Sequence, residues 1–250
     1  MATTSTHLIR IGTAGWAIPA AVREALRREG TALERYAACF DSAEINSCFH
    51  RPHRRSTYQR WAESVGPDFR FAVKLPKLIT HERRLIACRH EIARFAEETE
   101  GLGGKRGPVL IQLPPKLAFD SDTADAFFVE MAEILPGPMV CEPRHESWVS
   151  AEADALLTRH RVSRVAADPA RVPALAEPGG CRNRAYYRLH GSPSIYRSLY
   201  GPERVARHAA IVAALAAGGT ESWTIYDNTA SGAALADALA LRARLRDSGG

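Results

Sequence analysis

Eight short apolar runs constrain this chain more than any other feature. They occupy residues 7–11, 41–45, 69–73, 109–113, 139–141, 162–167, 185–189 and 222–226, and each closes on polar or aromatic residues. Between most of them lie stretches of helical periodicity: 20–28, 31–40, 52–64, 84–102, 121–135, 150–160, 203–217 and 231–245. In residues 84–102 the apolar positions Leu85, Cys88, Ile92, Phe95 and Ala96 keep helical spacing, and Asp120 or Ser121 can cap the helix that follows. Residues 170–184 contain Pro173, Pro178, Gly179 and Gly180 and read as a loop with at most a short helix. Strand–helix alternation predicts a parallel sheet covered by helices. Eight such units in 250 residues match a closed (β/α)8 barrel, the TIM barrel, as one domain with a core over about residues 7–245. A doubly wound open sheet is the alternative, but Gly12-Thr13-Ala14-Gly15 lacks the glycine spacing of a dinucleotide fingerprint.

The chemistry is expected where the apolar runs end. Glu44, Asn46, Lys74, Gln112, Glu142, Arg144, Asp168, Arg188, His190, Asp227 and Asn228 all stand at or just past a strand end. In a barrel those ends share the face that carries active sites. Glu44 with Asn46, Glu142 with Arg144, and Arg188 with His190 are each two apart, so an extended backbone aims both members of a pair to one side. The set is compatible with four chemistries. Lys74, Arg144 and Arg188 could bind a phosphate or carboxylate. Glu44 and Glu142 could form an acid–base or nucleophile pair for sugar chemistry. Glu44, Glu142, Asp168 and His190 could hold a divalent metal, although no His-x-His or His-Glu-x-x-His motif occurs. The same residues could also form a buried network that only holds the strands together.

Further residues have a bland and a functional reading. Trp16 and Trp148 follow two strand ends and either stack on a sugar or base or cover the rim. His81 and Lys77 are candidate anion contacts on the third loop. Cys48 follows Asn46 by two without an evident base partner, and no serine has a nucleophile-elbow context. Arg51, His53, Arg54 and Arg55 cluster at a helix start, which suits a solvated face or a phosphate and nucleic-acid contact.

Composition narrows the setting. The formal charge of +5 allows an anionic ligand without requiring one. Five scattered cysteines, never in a Cys-x-x-Cys pair, argue against a disulfide framework or structural zinc. Residues 1–6 lack the layout of a signal peptide, and no apolar run approaches the ~20 residues that span a bilayer. A cytoplasmic location without membrane attachment is therefore expected.

Seven ordered motifs carry a resemblance. They are Gly12-Thr13-Ala14-Gly15-Trp16; Glu44-Ile45-Asn46-Ser47-Cys48-Phe49; Phe71-Ala72-Val73-Lys74-Leu75-Pro76 with Thr80-His81; Ile111-Gln112-Leu113-Pro114-Pro115; Glu142-Pro143-Arg144-His145-Glu146-Ser147-Trp148; Arg188-Leu189-His190-Gly191; and Tyr226-Asp227-Asn228 with Gly232-Ala233. From about Ile9 to Leu241 the chain resembles the YecE-like family, domain of unknown function 72. The resemblance implies a TIM barrel and no established activity. Against the usual pattern, Pro143 stands in place of Phe, Asp227 in place of Asn, Ala14 in place of Ser and His50 in place of Tyr.

Together these features lead to an expected enzyme (lyase, isomerase or hydrolase) acting on a small anionic sugar-like substrate. Arg144, Arg188 and Lys74 would bind the anion, assisted by Asn46, Gln112, Asp227, Asn228, Trp16, Trp148 and His81. Glu142 or Glu44 would be the base and His190 the acid, with Asp168 in the same set. A non-catalytic binder of nucleic acid or a phosphorylated metabolite, and a divalent-metal hydrolase or isomerase, are the alternatives. No nucleotide-cofactor motif is present.

Overall fold

The structure, a computed structural model, describes residues 8–247. The strands are β1 (Ile9–Thr13), β2 (Ser42–Ile45), β3 (Arg70–Lys74), β4 (Arg106–Gln112), β5 (Met139–Glu142), β6 (Val162–Arg164), β7 (Ala166–Asp168), β8 (Gly179–Gly180), β9 (Arg184–Leu189) and β10 (Glu221–Tyr226). The helices are α1 (Ala32–Ala37), α2 (Arg55–Glu63), α3 (Arg89–Thr99), α4 (Ser121–Ile134), α5 (Ala151–Arg159), α6 (Gly201–Ala217) and α7 (Ala233–Asp247). The expected start of the first strand at His7 lies outside the described residues, as do residues 248–250 of the C-terminal tail.

Strand–helix alternation holds, and the protein has an α/β fold with parallel sheets. The ladder is not the single closed ring of eight that the strand count suggests. Strands β1-β10-β9-β7 form one sheet and β2-β3-β4-β5-β6-β8 another. All pairings are parallel except β6 with β8. At one seam β1 and β2 meet through an isolated bridge between Ala14 and Glu44. At the other, β6 and β7 are successive pieces of one apolar run separated by Val165, which passes from one sheet to the other. The run 162–167 thus reads as one strand in sequence and pairs as two. β8 falls in the segment expected to be loop; two glycines leave little for the sequence to signal.

Helix ends follow local chemistry. Thr31 and Glu34 form a capping box at α1: the Thr31 hydroxyl accepts from the Glu34 N–H, and the Glu34 carboxylate accepts from the Thr31 N–H. Asp120 caps α4 and Ser150 caps α5. Helix α3 begins five residues later than its apolar periodicity suggests. Arg84, Leu85 and Ala87 take positive φ (52°, 72° and 52°), so the chain turns there while Leu85 and Cys88 still face the core. Residues 20–28 likewise give only a 3-10 turn at Ala20–Ala25.

Two apolar clusters result. The larger fills the space between strands and helices and includes Tyr36, Phe71, Phe127, Trp148 and Tyr226. The smaller joins the inner faces of both sheets: Ala72, Leu110, Val140, Val165, Tyr186, Trp223 and Ile225. This inner layer is the floor beneath the candidate site.

Candidate functional site

Strand periodicity builds the site in layers. Side chains two apart share a face of a strand. Two residues beyond Ala72, Leu110, Val140, Tyr186 and Ile225 of the floor stand Lys74, Gln112, Glu142, Arg188 and Asp227. Glu44 sits opposite Ala72 across the β2–β3 pair. A further step of two reaches Arg144 on the chain after β5 and His190 after β9.

Arg188 is the hub and is fully buried. Its Nη2 lies 2.8 Å from Glu44 Oε1 and 2.9 Å from Asp227 Oδ2, and its Nη1 2.7 Å from Glu142 Oε2. Its Nε donates to Glu44 Oε2 at 3.1 Å. One guanidinium thus ties β9 to β2, β5 and the end of β10, across both sheets. Glu44 also accepts the Tyr186 hydroxyl at 3.0 Å. Glu142 receives Arg144 Nη2 at 2.9 Å and Gln112 Nε2 at 3.1 and 3.2 Å. His190 bridges two carboxylates: its Nε2 is 3.2 Å from Glu142 Oε1 and its Nδ1 3.0 Å from Asp227 Oδ2. Both nitrogens face acceptors, an arrangement that the imidazolium satisfies fully.

The electrostatics follow from burial and partners. Burial would raise the Glu142 pKa, but Arg188, His190 and Arg144 overcome it and hold the carboxyl well below its usual range. Asp227 behaves alike: burial opposes ionisation, and Arg188 and His190 prevail. Burial would lower the pKa of His190, yet its bonds to Asp227 and Glu142 raise it above the ordinary histidine value. Lys74 moves the other way. Burial and then the nearby Arg188 charge lower its pKa, against the pull of Glu44, Glu142 and Asp227.

Lys74 differs from its neighbours in having no polar partner. The residue is 7% exposed, and its Nζ lies 4.1 Å from the centre of the Phe49 ring. Among the described residues the ammonium makes no hydrogen bond or ion pair. His81 packs edge-on to the same Phe49 ring at 5.1 Å, and its Nδ1 is 2.8 Å from the Thr80 hydroxyl. Burial first, then Lys74 and Lys77, lower the His81 pKa. At the Glu142–His190 contact a cleft of about 90 Å³ opens, and its lining includes Glu142, Pro143, Arg144, His190, Ile195 and Tyr196. The side chain of Arg144 is 26% exposed there, and Tyr196 sits edge-on to His190 at 5.7 Å.

Glu44, Lys74, Gln112, Glu142, Arg144, Arg188, His190 and Asp227 are therefore brought together as expected from sequence. Several other expected site residues are placed elsewhere. Asp168 follows the inward Ala167 by one, so strand parity turns it out; its carboxylate is 39% exposed and lies 3.8 Å from Arg204 of α6. Asn228 has the same parity problem beside Asp227. Its Nδ2 donates to the Ser198 carbonyl at 2.8 Å and to Asp237 Oδ2 at 2.7 Å, which anchors the loop after β9 to α7. Trp148 is buried against Phe119, and its Nε1 donates to the Leu117 carbonyl at 3.0 Å, so it presents no face to a ligand. Trp16 is half-buried and edge-on to Trp61 and Phe71. Asn46 makes no bond to the network, and its Oδ1 is buried without a partner.

The alternative readings lose residues in the same way. Cys48 is buried and donates its thiol toward the Ile45 and Lys74 carbonyls, and burial pushes its pKa up to about 12. Of the basic cluster at α2, Arg55 pairs with Glu100 and His53 with the Ser47 hydroxyl. Among the described residues no three His, Cys, Asp or Glu side chains converge as a ligand set for a metal ion. Arg188 is the cation that Glu44, Glu142 and Asp227 share. No helix of the described residues is long and apolar enough to cross a membrane. Tyr186 and Phe49 were not among the expected site residues. Their signals were a tyrosine two before Arg188 and an aromatic five after Glu44.

Comparison with known proteins places this geometry in a family. The model described as "Protein of unknown function DUF72" matches residues 10–249. The UPF0759 protein YecE of Escherichia coli K12 is 32% identical over 107 residues, covering 43% of this chain and 38% of that protein; the same protein of E. coli O157:H7 matches equally. The match therefore spans well under half the length of these curated relatives. A DUF72 family protein of Thermotoga maritima superposes with a TM-score of 0.78 at 21% identity, covering 96% of this chain and 100% of that one. One from Enterococcus faecalis gives 0.78 at 18% identity, with 95% of each chain covered. These two structures support the fold. The family model covers nearly the whole chain, and the protein is a member of the DUF72 family.

Proposed function

We propose that this protein is an enzyme that moves protons on a small anionic, sugar-like substrate. In this reading the two sheets act as one barrel and the chemistry occupies its mouth, at the strand C-terminal ends. The observation that carries it is His190, bridged between Glu142 and Asp227 at the edge of a cleft that Arg144 also lines. A histidine held as imidazolium beside an open space is a ready proton donor.

The roles differ from those expected from sequence alone. Arg188 is saturated by three carboxylates and positions them rather than binding substrate. Arg144, with part of its guanidinium open to the cleft, takes the substrate anion. Glu142 is held ionised so firmly that it is a weak base; it orients His190 and Arg144 instead. The base is Lys74, a buried amine without a polar partner whose pKa burial lowers.

The test is a thermal-shift and turnover screen of phosphorylated and carboxylated sugars on the purified protein. Arg144→Ala should raise KM, and His190→Gln should lower kcat by roughly 10²–10⁴-fold while leaving binding in place. Glu142→Gln should lower turnover with the fold retained. Turnover that is indifferent to His190→Gln would sink the reading, as would a screen in which no anion binds.

A further inference from the structure

We infer that Lys74 forms a covalent imine with an aldehyde or ketone on the substrate of this site. The inference rests on the proposed anionic substrate, narrows it to a small carbonyl compound bearing a carboxylate or phosphate, and changes the role of Lys74 from base to nucleophile.

The first support is geometric. An ammonium on a largely buried side chain normally gains hydrogen bonds or a counter-ion. Lys74 has neither among the described residues; it is 7% exposed, with its Nζ over the Phe49 ring. The other lysines are ordinary. Lys105 donates to the Ala62 and Val65 carbonyls at 2.6 Å, Lys77 pairs with Glu82, and Lys116 is exposed. The carboxylates that would have trapped Lys74 as a salt bridge are already taken by Arg188. The hub therefore leaves the amine near negative charge and free to react.

The second support is the residue type. The chain has 29 arginines and only four lysines. An arginine in that position would serve as a fixed positive charge, because a guanidinium does not lose its proton. Lysine is the basic residue that can act as a nucleophile, and desolvation together with an adjacent cation activates it. Both are present here: the inner apolar floor lies below Lys74, and Arg188 stands beside it.

The step balances without a redox partner. The neutral Nζ attacks the carbonyl carbon and a C–N bond forms. The carbonyl oxygen takes up a proton, giving a carbinolamine. The nitrogen passes one proton to His81 as the carbinolamine forms; that proton then returns to the hydroxyl, the nitrogen lone pair forms C=N as the C–O bond breaks, and water leaves behind a protonated imine. His81, on the same Phe49 ring, is the nearby base that receives the ammonium proton, and His190 is the proton donor. Arg144 holds the substrate anion. The imine withdraws electrons from the adjacent carbon, which suits proton abstraction or carbon–carbon cleavage there.

The experiment traps the imine on the full chain. The protein is incubated with glyoxylate, pyruvate or dihydroxyacetone phosphate together with sodium cyanoborohydride, and the modified lysine is mapped by peptide mass spectrometry. At least one of the three should label Lys74 about tenfold faster than the exposed Lys116 and Lys77. Lys74→Arg, which keeps the charge, should lose that label and retain the wild-type circular dichroism. In parallel, inorganic phosphate should raise the melting temperature of wild type and not of Arg144→Ala. A phosphate shift without preferential labelling of Lys74 would overturn the imine and leave the anion site standing. Neither shift nor preferential label would overturn both.

Discussion

Arg188 Nη1 and Glu142 Oε2 lie 2.7 Å apart, each residue no more than 1% exposed, and this contact joins a strand of the four-stranded sheet to a strand of the six-stranded one. Two buried charges of this kind are costly to desolvate, and their value depends on every partner being present. Arg188→Met would leave Glu44, Glu142 and Asp227 facing one another without their shared cation. We expect a loss of about 3–5 kcal/mol in urea unfolding at neutral pH. The abandoned carboxylates then favour their protonated form in the folded state. The gap between wild type and variant should therefore narrow as pH falls, and a constant gap across pH would contradict this account.

The His190–Asp227 contact makes stability depend on pH in two opposite ways. Glu142 and Asp227 have folded pKa values below their unfolded ones. Their contribution is present above the ordinary carboxylate range and is lost as pH falls through the folded values. His190 has a raised folded pKa, so its contribution is complete below the unfolded histidine value of about 6.5 and is lost as pH rises through the folded value. Stability should peak on the mildly acid side of neutrality. Asp227→Asn removes the carboxylate whose hydrogen bond does most to raise the His190 pKa, so NMR titration of His190 should give a lower pKa, and the alkaline decline should begin earlier. An unmoved titration would refute the pairing.

Gly12 sits where the two sheets approach at the β1–β2 seam. A Cβ at this position would meet the Ser42 carbonyl oxygen at 2.3 Å and its carbon at 2.8 Å. These are backbone atoms and cannot rotate away. Gly12→Ala should cost about 1–3 kcal/mol as an overpacked contact. Gly66→Ala, where a Cβ meets nothing within 4 Å, is the matched control and should be nearly neutral. Equal melting temperatures for the two variants would show that the seam can part.

Trp148 closes the motif Glu142-Pro143-Arg144-His145-Glu146-Ser147-Trp148, yet it serves the packing. Trp148→Ala should lose about 3–5 kcal/mol, the usual range for emptying a large buried aromatic site. Trp148→Phe should lose about 1–3 kcal/mol, because the Leu117 carbonyl would be left buried without its indole donor. Any thermal shift from inorganic phosphate should be the same in Trp148→Phe as in wild type. A selective loss of that shift would place the indole in the ligand site after all.

Pro143 and Asp227, the departures from the usual family pattern, have unequal consequences. Asp227 enters the charged layer and bonds both Arg188 and His190. Pro143 is buried beside the cleft, where the chain leaves β5. Its missing N–H removes a donor at a point where the parallel ladder has already ended.

Much of the site was legible because strand chemistry is local. An apolar run that ends in Glu-x-Arg or Arg-x-His shows from period two alone that both polar groups share a face, and Glu142 with Arg144 and Arg188 with His190 do so. Parity was the rule that proximity to a strand end concealed. Asp168 and Asn228 stand one residue past inward positions and face the helices, whereas Asp227 faces in.

The sequence by itself determined the alternation of strand and helix, the polar strand ends and the family, because each depends on residues near one another in the chain. Only the tertiary structure decided that the ladder divides into two parallel sheets, that Trp148 is buried, and that Arg188 is consumed by three carboxylates while Lys74 has none. Glu44, Glu142 and Asp227 come from distant segments, and their competition for one guanidinium is a matter of reach and direction in space. The burial that strengthens those ion pairs and lowers the pKa of Lys74 exists only once both sheets share the same apolar floor.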